Sequence, residues 1–305
     1  MARTRYAPDR GLTSRMLVTM FLLGLVYVAF VTAFFVIAPR LGPVVLVIAA
    51  GLLLAQYFFS DRLALFAMHG REVSPEEAPE LHGVVDRISA MADVPKPRVA
   101  IADTDVPNAF ATGRNQRRSV VCVTTGLLRR LDPVELEGVL AHEMSHVAHR
   151  DVAVMTVASF LGVVAGLLTR FGLQFGLYGG VSRNRDQNTG LVLLAVIAVS
   201  ALAYAISFLL TRALSRYREL SADRAAALLT GRPSALAGAL VKISGDMARI
   251  PTRDLRAAEP FNAFFFAPAL RGGMSFSALF STHPSLERRL AQLQEISARL
   301  SREGA

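Results

Sequence analysis

Four stretches of the chain run without a charge, and the segments between them mix polar with apolar residues. Met16 to Ala38, Leu41 to Phe59, Val152 to Thr169 and Leu191 to Thr211 hold 23, 19, 18 and 21 residues. Each is close to the roughly 20 residues with which a helix crosses the hydrocarbon core of a bilayer. Buried helices of a soluble bundle keep a polar face, which these runs lack. The pattern predicts four transmembrane helices, 16–38, 41–59, 152–169 and 191–211, paired as two hairpins.

The mixed segments carry shorter signals. Ser74-Pro75-Glu76-Glu77 starts a helix that runs to about Met91. Arg98 to Ala102 alternates as a strand, and Ser119 to Thr124 reads as a second one. Asp132-Pro133 then supplies an N-cap and a proline at the first helical position, with Glu135 completing a capping box. Further on, a helix through Glu219 leaves the fourth span, another covers Pro233 to Met247, Ile250 to Thr282 is irregular, and Pro284 opens a final helix. The fold class is mainly α with a small β-sheet (α+β). An N-terminal arm and hairpin, 1–59, precede a soluble domain in two halves, 60–151 and 212–305, which the second hairpin, 152–211, divides.

Composition agrees with membrane embedding: 52% of residues are hydrophobic and the mean hydropathy is +0.40. The net charge of +9 is nearly all arginine, scattered beside span ends and along helices. That distribution suits topology and attraction to anionic lipid, and argues against nucleic acid as a partner. Arg3, Arg5, Arg10 and Arg15 place the N-terminus in the cytoplasm, with Arg40 alone after the first span. An even number of spans returns the C-terminus there, although Arg170, Arg183 and Arg185 in the third loop reduce the asymmetry. A cleaved leader is excluded by the length of the first apolar run and by the second span directly after it. Cys122 is the single cysteine, so no intramolecular disulfide forms and a metal would be held by nitrogen and oxygen.

The chemistry concentrates in His142-Glu143-Met144-Ser145-His146. Two imidazoles four residues apart on a helix leave one face and can grip one Zn²⁺. Glu143 stands beside them as a base for the attacking water, the HExxH arrangement of zinc hydrolases. Downstream, Glu219-Leu220-Ser221-Ala222-Asp223 offers two carboxylates at the same spacing. Glu219 is then the third ligand, and Asp223 holds one ligand imidazole by its other ring nitrogen. The competing reading is a solvated helix face in ion pairs with Arg216, Arg218 and Arg224; beside an HExxH motif the ligand reading takes precedence. If these helices continue the spans, His146 lies roughly 9 Å and Glu219 roughly 12 Å from the span ends, at the membrane surface. His149 lies about 10 Å along the axis from His142, too far to share its metal, and reads as an interfacial polar residue. His69 and His82 read as structural.

These motifs closely resemble the HtpX family of membrane zinc metalloproteases, relatives of the CAAX prenyl endopeptidases. The resemblance rests on Asn108-Ala109-Phe110-Ala111-Thr112-Gly113, Thr125-Gly126-Leu127-Leu128, the HExxH segment, Ser215 to Glu219 with Ala222-Asp223, and Thr282-His283-Pro284 followed by Arg289. His149-Arg150 departs from the family's usual Asn followed by Gly or Arg, outside the ligand set. The resemblance implies a cytoplasmic zincin-like domain with one Zn²⁺ per chain. It further implies cleavage of misfolded membrane proteins or unfolded polypeptides at the cytoplasmic face of a prokaryotic plasma membrane, in quality control and stress response.

The resemblance also implies roles that spacing leaves silent. Ser119, Val120, Val121, Cys122, Val123 and Thr124 would form an edge strand pairing with extended substrate; an ordinary sheet strand fits the sequence equally. His283 and Arg289 resemble residues that approach the substrate oxygen in related endopeptidases; a helix cap and a surface ion pair are the alternative. Four spans are too few for the membrane chamber of a dedicated CAAX processor. A zinc-stabilised scaffold would need no base, and Glu143 is intact.

Overall fold

The computed structural model describes residues 10–37, 42–149, 151–178, 187–247 and 283–303. Arg3, Arg5, Arg40, Arg150, Arg183, Arg185 and the irregular stretch expected over 250–282 lie outside the described residues. What is described is mainly helical with a small mixed sheet, in two compact units. One comprises Thr13–Tyr57 and Val154–Leu214; the other includes Phe58–Ala153 and Ser215–Ala305.

The apolar runs form helices α1 (Arg10–Ile37), α2 (Gly42–Ala67), α6 (Asp151–Tyr178) and the first half of α7 (Gln187–Thr230). Among the described residues three segments are long and apolar enough to cross a membrane: Thr13–Ile37, Leu46–Ala67 and Gly190–Thr230. The remaining expected span falls inside α6, one unbroken helix of 28 residues. In this unit Phe30 and Phe34 pack with Ala165 and Ala203. Gly166 lies against the Tyr204 ring and Thr211 Oγ1 donates to the Ala158 carbonyl at 3.3 Å, so small residues let α6 and α7 approach closely. Large side chains such as Phe21, Val36 and Val47 point outward, a surface suited to lipid rather than water.

The second unit is built on four strands, β1 (Gly70–Glu72), β2 (Arg98–Ala102), β3 (Ala109–Gly113) and β4 (Ser119–Thr124), in the order β1-β2-β4-β3. The β2 and β4 strands pair in parallel; the outer two pair antiparallel. Ser119 to Thr124 is therefore an interior strand, which corrects the edge-strand expectation. All six of its residues are buried, with Val121 and Val123 on the main core and Val120 and Cys122 against Ala64, Ala100 and Phe110. A strand covered on both faces reads as a continuous apolar run, and that run carries no information about its lateral neighbours. The described edge beyond it is β3, whose Ala-Phe-Ala-Thr-Gly sequence gave little strand signal.

Helix α5 (Pro133–Ala148) packs on β3 and β4, α3 (Pro79–Ala92) and α8 (Pro233–Met247) pack against α5, and α9 (Leu286–Glu303) packs on α8, with Val85, Ile88, Val139, Leu140, Leu240, Ile243 and Leu293 in one shared core. The start of α3 differs from expectation. Ser74 to Glu77 form a turn closed by Ser74 N donating to Glu77 Oε2 at 2.9 Å, and the helix begins at Pro79. Ala78 precedes that proline and is held out of the helical region, with φ −140° and ψ 62°. The α5 cap forms as its sequence predicts: Asp132 Oδ1 accepts from Val134 N and Glu135 N at 2.9 Å, and Glu135 Oε2 accepts from Asp132 N at 3.1 Å. Lys242 reaches the same Glu135 oxygen at 2.7 Å, tying α5 to α8.

Between β4 and α5, the short helix α4 (Thr125–Leu128) is locked by Thr124. Its hydroxyl accepts from Leu127 N at 3.2 Å and from Asn108 N at 2.9 Å. Gly126 is required there: a Cβ at this position would lie 2.2 Å from the Asp105 carbonyl oxygen. The Asn108 and Thr125-Gly126 motifs thus build the β3–β4 corner.

Candidate metal centre and catalytic residues

Helix α5 buries its HExxH segment. His142 and His146, one turn apart, set their rings nearly perpendicular with centroids 5.0 Å apart. Helix α7 brings Glu219 against both, with its Oε2 3.5 Å from His142 Nε2 and its Oε1 3.5 Å from His146 Nε2. One ligand atom from each residue lies within 4.8 Å of the others. Tetrahedral zinc with bonds near 2.0–2.1 Å holds neighbouring donors about 3.4 Å apart. The donor set and its spacing therefore fit Zn²⁺, and the two-nitrogen, one-oxygen set leaves a fourth position open.

Each member has a second contact that fixes its aim. His142 Nδ1 lies 2.8 Å from Asp223 Oδ1, the support expected from the i, i+4 spacing of Glu219 and Asp223. On the other ring, Arg218 Nη2 lies 3.3 Å from His146 Nδ1, so a cation stands where His142 has a carboxylate. Glu219 Oε2 also faces His283 Nδ1 at 3.1 Å. Burial acts to lower the His142 pKa, but the carboxylates of Asp223 and Glu219 beside it outweigh this and raise it.

Glu143 is buried beside the imidazoles and does not belong to the ligand cluster. Its Oε2 accepts from the Ala111 amide of β3 at 3.1 Å. Burial pushes its carboxyl up, against the charges of His142 and His146. A carboxylate with a raised proton affinity is suited to general-base work. The strand β3 thus meets the site directly, through its Ala111 amide.

His283 and Arg289 both come to the cluster. Arg289 is buried and directs its fork at Asp223, with Nε 2.7 Å from Oδ2 and Nη2 2.6 Å from Oδ1. Neither residue is the cap or surface ion pair of the alternative reading. Ser285 caps α9 instead, its Oγ accepting from Arg288 N at 3.3 Å. The sequence reading missed three contributors: the Ala111 amide, Arg218 beside His146, and Gln292, whose Nε2 donates to the Leu220 carbonyl at 2.9 Å.

Residues 75–297 match the model of Peptidase family M48. "Protease HtpX homolog 1" of Streptomyces coelicolor is 64% identical over 298 residues, covering 98% of this chain and 97% of that protein. "Protease HtpX homolog" of Moorella thermoacetica is 53% identical over 294 residues, covering 96% and 97%. "Protease HtpX homolog 2" of Methanosarcina mazei is 51% identical over 300 residues, covering 98% and 100%. Among solved structures, S. mikatae Ste24p shares the fold with a TM-score of 0.54 at 18% identity, over 93% of this chain and 67% of that one. With the HExxH helix, the Glu219 carboxylate and this similarity along nearly its whole length, the chain belongs to peptidase family M48, as a membrane metalloprotease of the HtpX type.

Proposed function

We propose that this chain is a zinc-dependent endopeptidase with four membrane spans. In this reading it cuts misfolded or damaged membrane proteins and unfolded polypeptides at the cytoplasmic face of a prokaryotic plasma membrane, in quality control and stress response. One Zn²⁺ per chain is held by His142, His146 and Glu219. The observation that carries the reading is the convergence of these three ligand atoms beside the buried, non-ligand Glu143.

His142, His146 and Glu219 would hold Zn²⁺ there, and the ion would supply the Lewis acidity that activates water and polarises a scissile carbonyl. Glu143 takes a proton from the attacking water and delivers it to the leaving amine. His283 has one ring nitrogen on Glu219 and is assigned the role of donor to the developing oxyanion. Substrate recognition is assigned to β3. Ala111 turns its amide away from β4 and toward Glu143, so alternate main-chain groups of this strand face outward, where an extended peptide can add as a further strand. Main-chain pairing reads few side chains, in keeping with a protease that accepts many damaged sequences.

The test is incubation of detergent-purified protein with casein and with a model membrane protein. Cleavage of both, lost on chelation and restored by Zn²⁺, is expected. Absence of cleavage by protein shown to carry zinc would overturn the reading.

A further inference from the structure

We propose that Arg289 is a positioning residue of the metal centre, acting through Asp223 on His142, and that the C-terminal helix thereby sets how tightly the metal is held. The inference rests on the zinc reading above and concerns a residue with no ligand atom in the cluster.

The geometry is a relay of three side chains. Arg289 engages both oxygens of Asp223, Nε to Oδ2 at 2.7 Å and Nη2 to Oδ1 at 2.6 Å. Such a fork holds the plane of a carboxylate as well as its distance. Oδ1 is also the atom 2.8 Å from His142 Nδ1. With the carboxylate plane fixed, His142 Nδ1 faces one oxygen held in one place, and Nε2 faces Glu219 and the metal position. Asp223 is 0% and Arg289 2% exposed, so water cannot replace the guanidinium without rearrangement of the packing.

Arg289 is itself held by α9, which grips the turn of α7 bearing both carboxylates. Leu293 is inserted in the main core, and Gln292 Nε2 donates to the Leu220 carbonyl, between Glu219 and Asp223 on α7. His283, just before the helix, faces Glu219. The contacts of His283, Gln292 and Arg289 fall on Glu219, Leu220 and Asp223, within about one turn of α7. Docking of the C-terminal segment and aim of the ligands are therefore one event.

The experiment measures zinc dissociation constants by chelator competition on the full-length detergent-purified chain. It compares the parent, Asp223→Asn, Arg289→Gln, Arg289→Lys and the double variant Asp223→Asn/Arg289→Gln. Arg289→Gln is expected to weaken zinc binding roughly 10- to 100-fold, as removal of a ligand's supporting carboxylate does. Arg289→Lys should recover part of the loss, because it restores the charge without the fork. In the double variant the losses should not multiply: it binds zinc about as weakly as Asp223→Asn alone, since both act on one imidazole. It also removes both buried charges together, which keeps a folded comparison available should Arg289→Gln misfold. The visible spectrum of the Co²⁺-loaded protein should shift in Arg289→Gln as it does in Asp223→Asn. Parental zinc affinity in Arg289→Gln, or multiplied losses in the double variant, would overturn the inference and leave the zinc reading intact. A parent that binds no zinc would overturn that reading instead.

Discussion

His142 Nδ1 and Asp223 Oδ1 lie 2.8 Å apart, although the residues come from different helices and stand 81 positions apart. The contact leaves His142 Nε2 as the atom that faces the metal position. Asp223→Asn is therefore expected to lose activity at limiting zinc and to recover part of it as zinc is added, with affinity reduced roughly 10- to 100-fold. Full activity of the variant at limiting zinc would remove Asp223 from the site.

Glu143 contacts the edge strand and stands outside the ligand cluster. Glu143→Gln should abolish cleavage while zinc content, measured by atomic emission, stays at the parent's value. Comparable turnover by this variant would contradict its role as the base.

His142→Ala, His146→Ala and Glu219→Ala should each lose zinc as well as activity, because each removes one of the three converging ligand atoms. If dialysed Glu219→Ala retained zinc as the parent does, the third ligand would have to be sought elsewhere.

Two glycines separate packing from propensity. At Gly126 a new methyl would meet backbone atoms of Asp105, so Gly126→Ala should destabilise the chain by about 1–3 kcal/mol. At Gly83, inside α3, nothing lies within 4 Å of a new Cβ, and Gly83→Ala should add about 0.4–1 kcal/mol. Thermal aggregation curves in detergent should move in opposite directions for the two.

Cys122 is a silent background for membrane-sidedness labelling. It is buried in β4 and its thiol is pushed up to about 12 by burial, so an impermeant maleimide at pH 8 should label the parent only after denaturation. Against it, Asn188→Cys should react from outside intact cells, whereas Arg117→Cys and a cysteine in place of Ala305 should react only after lysis. The opposite pattern would reverse the proposed orientation. Gly113 cannot carry the probe: its φ is +142° and a Cβ would meet the Arg118 carbonyl at 2.3 Å.

The features legible in the sequence were those whose physics is local. The α5 cap needs only Asp132, Pro133 and Glu135, and it forms as read; the HExxH histidines need only helical periodicity. Asp223 was legible because one turn separates it from Glu219. Lateral order in the sheet is not local: β4 is internal because residues 109–113 pair beside it, and an alanine-rich strand carries little propensity. Arg289 stands 66 positions from Asp223, and no spacing rule joins them. The start of α3 was misplaced because Ser74-Pro75 and Ala78-Pro79 both look like helix openings, and only tertiary contacts choose between them.

The parts of the buried cluster leave the ribosome in a fixed order. The two histidines emerge first, Glu219 and Asp223 follow only after the long apolar helix α6 and the apolar first half of α7, and Arg289 comes 66 residues after Asp223. At about 5–20 residues per second, roughly 7 to 30 s separate His142 from Arg289 during synthesis. A nascent chain therefore passes through membrane insertion without its assembled centre, and a truncated product never acquires one. The order of the parts along the polypeptide acts as a built-in delay against premature cleavage of the newborn protein and its neighbours.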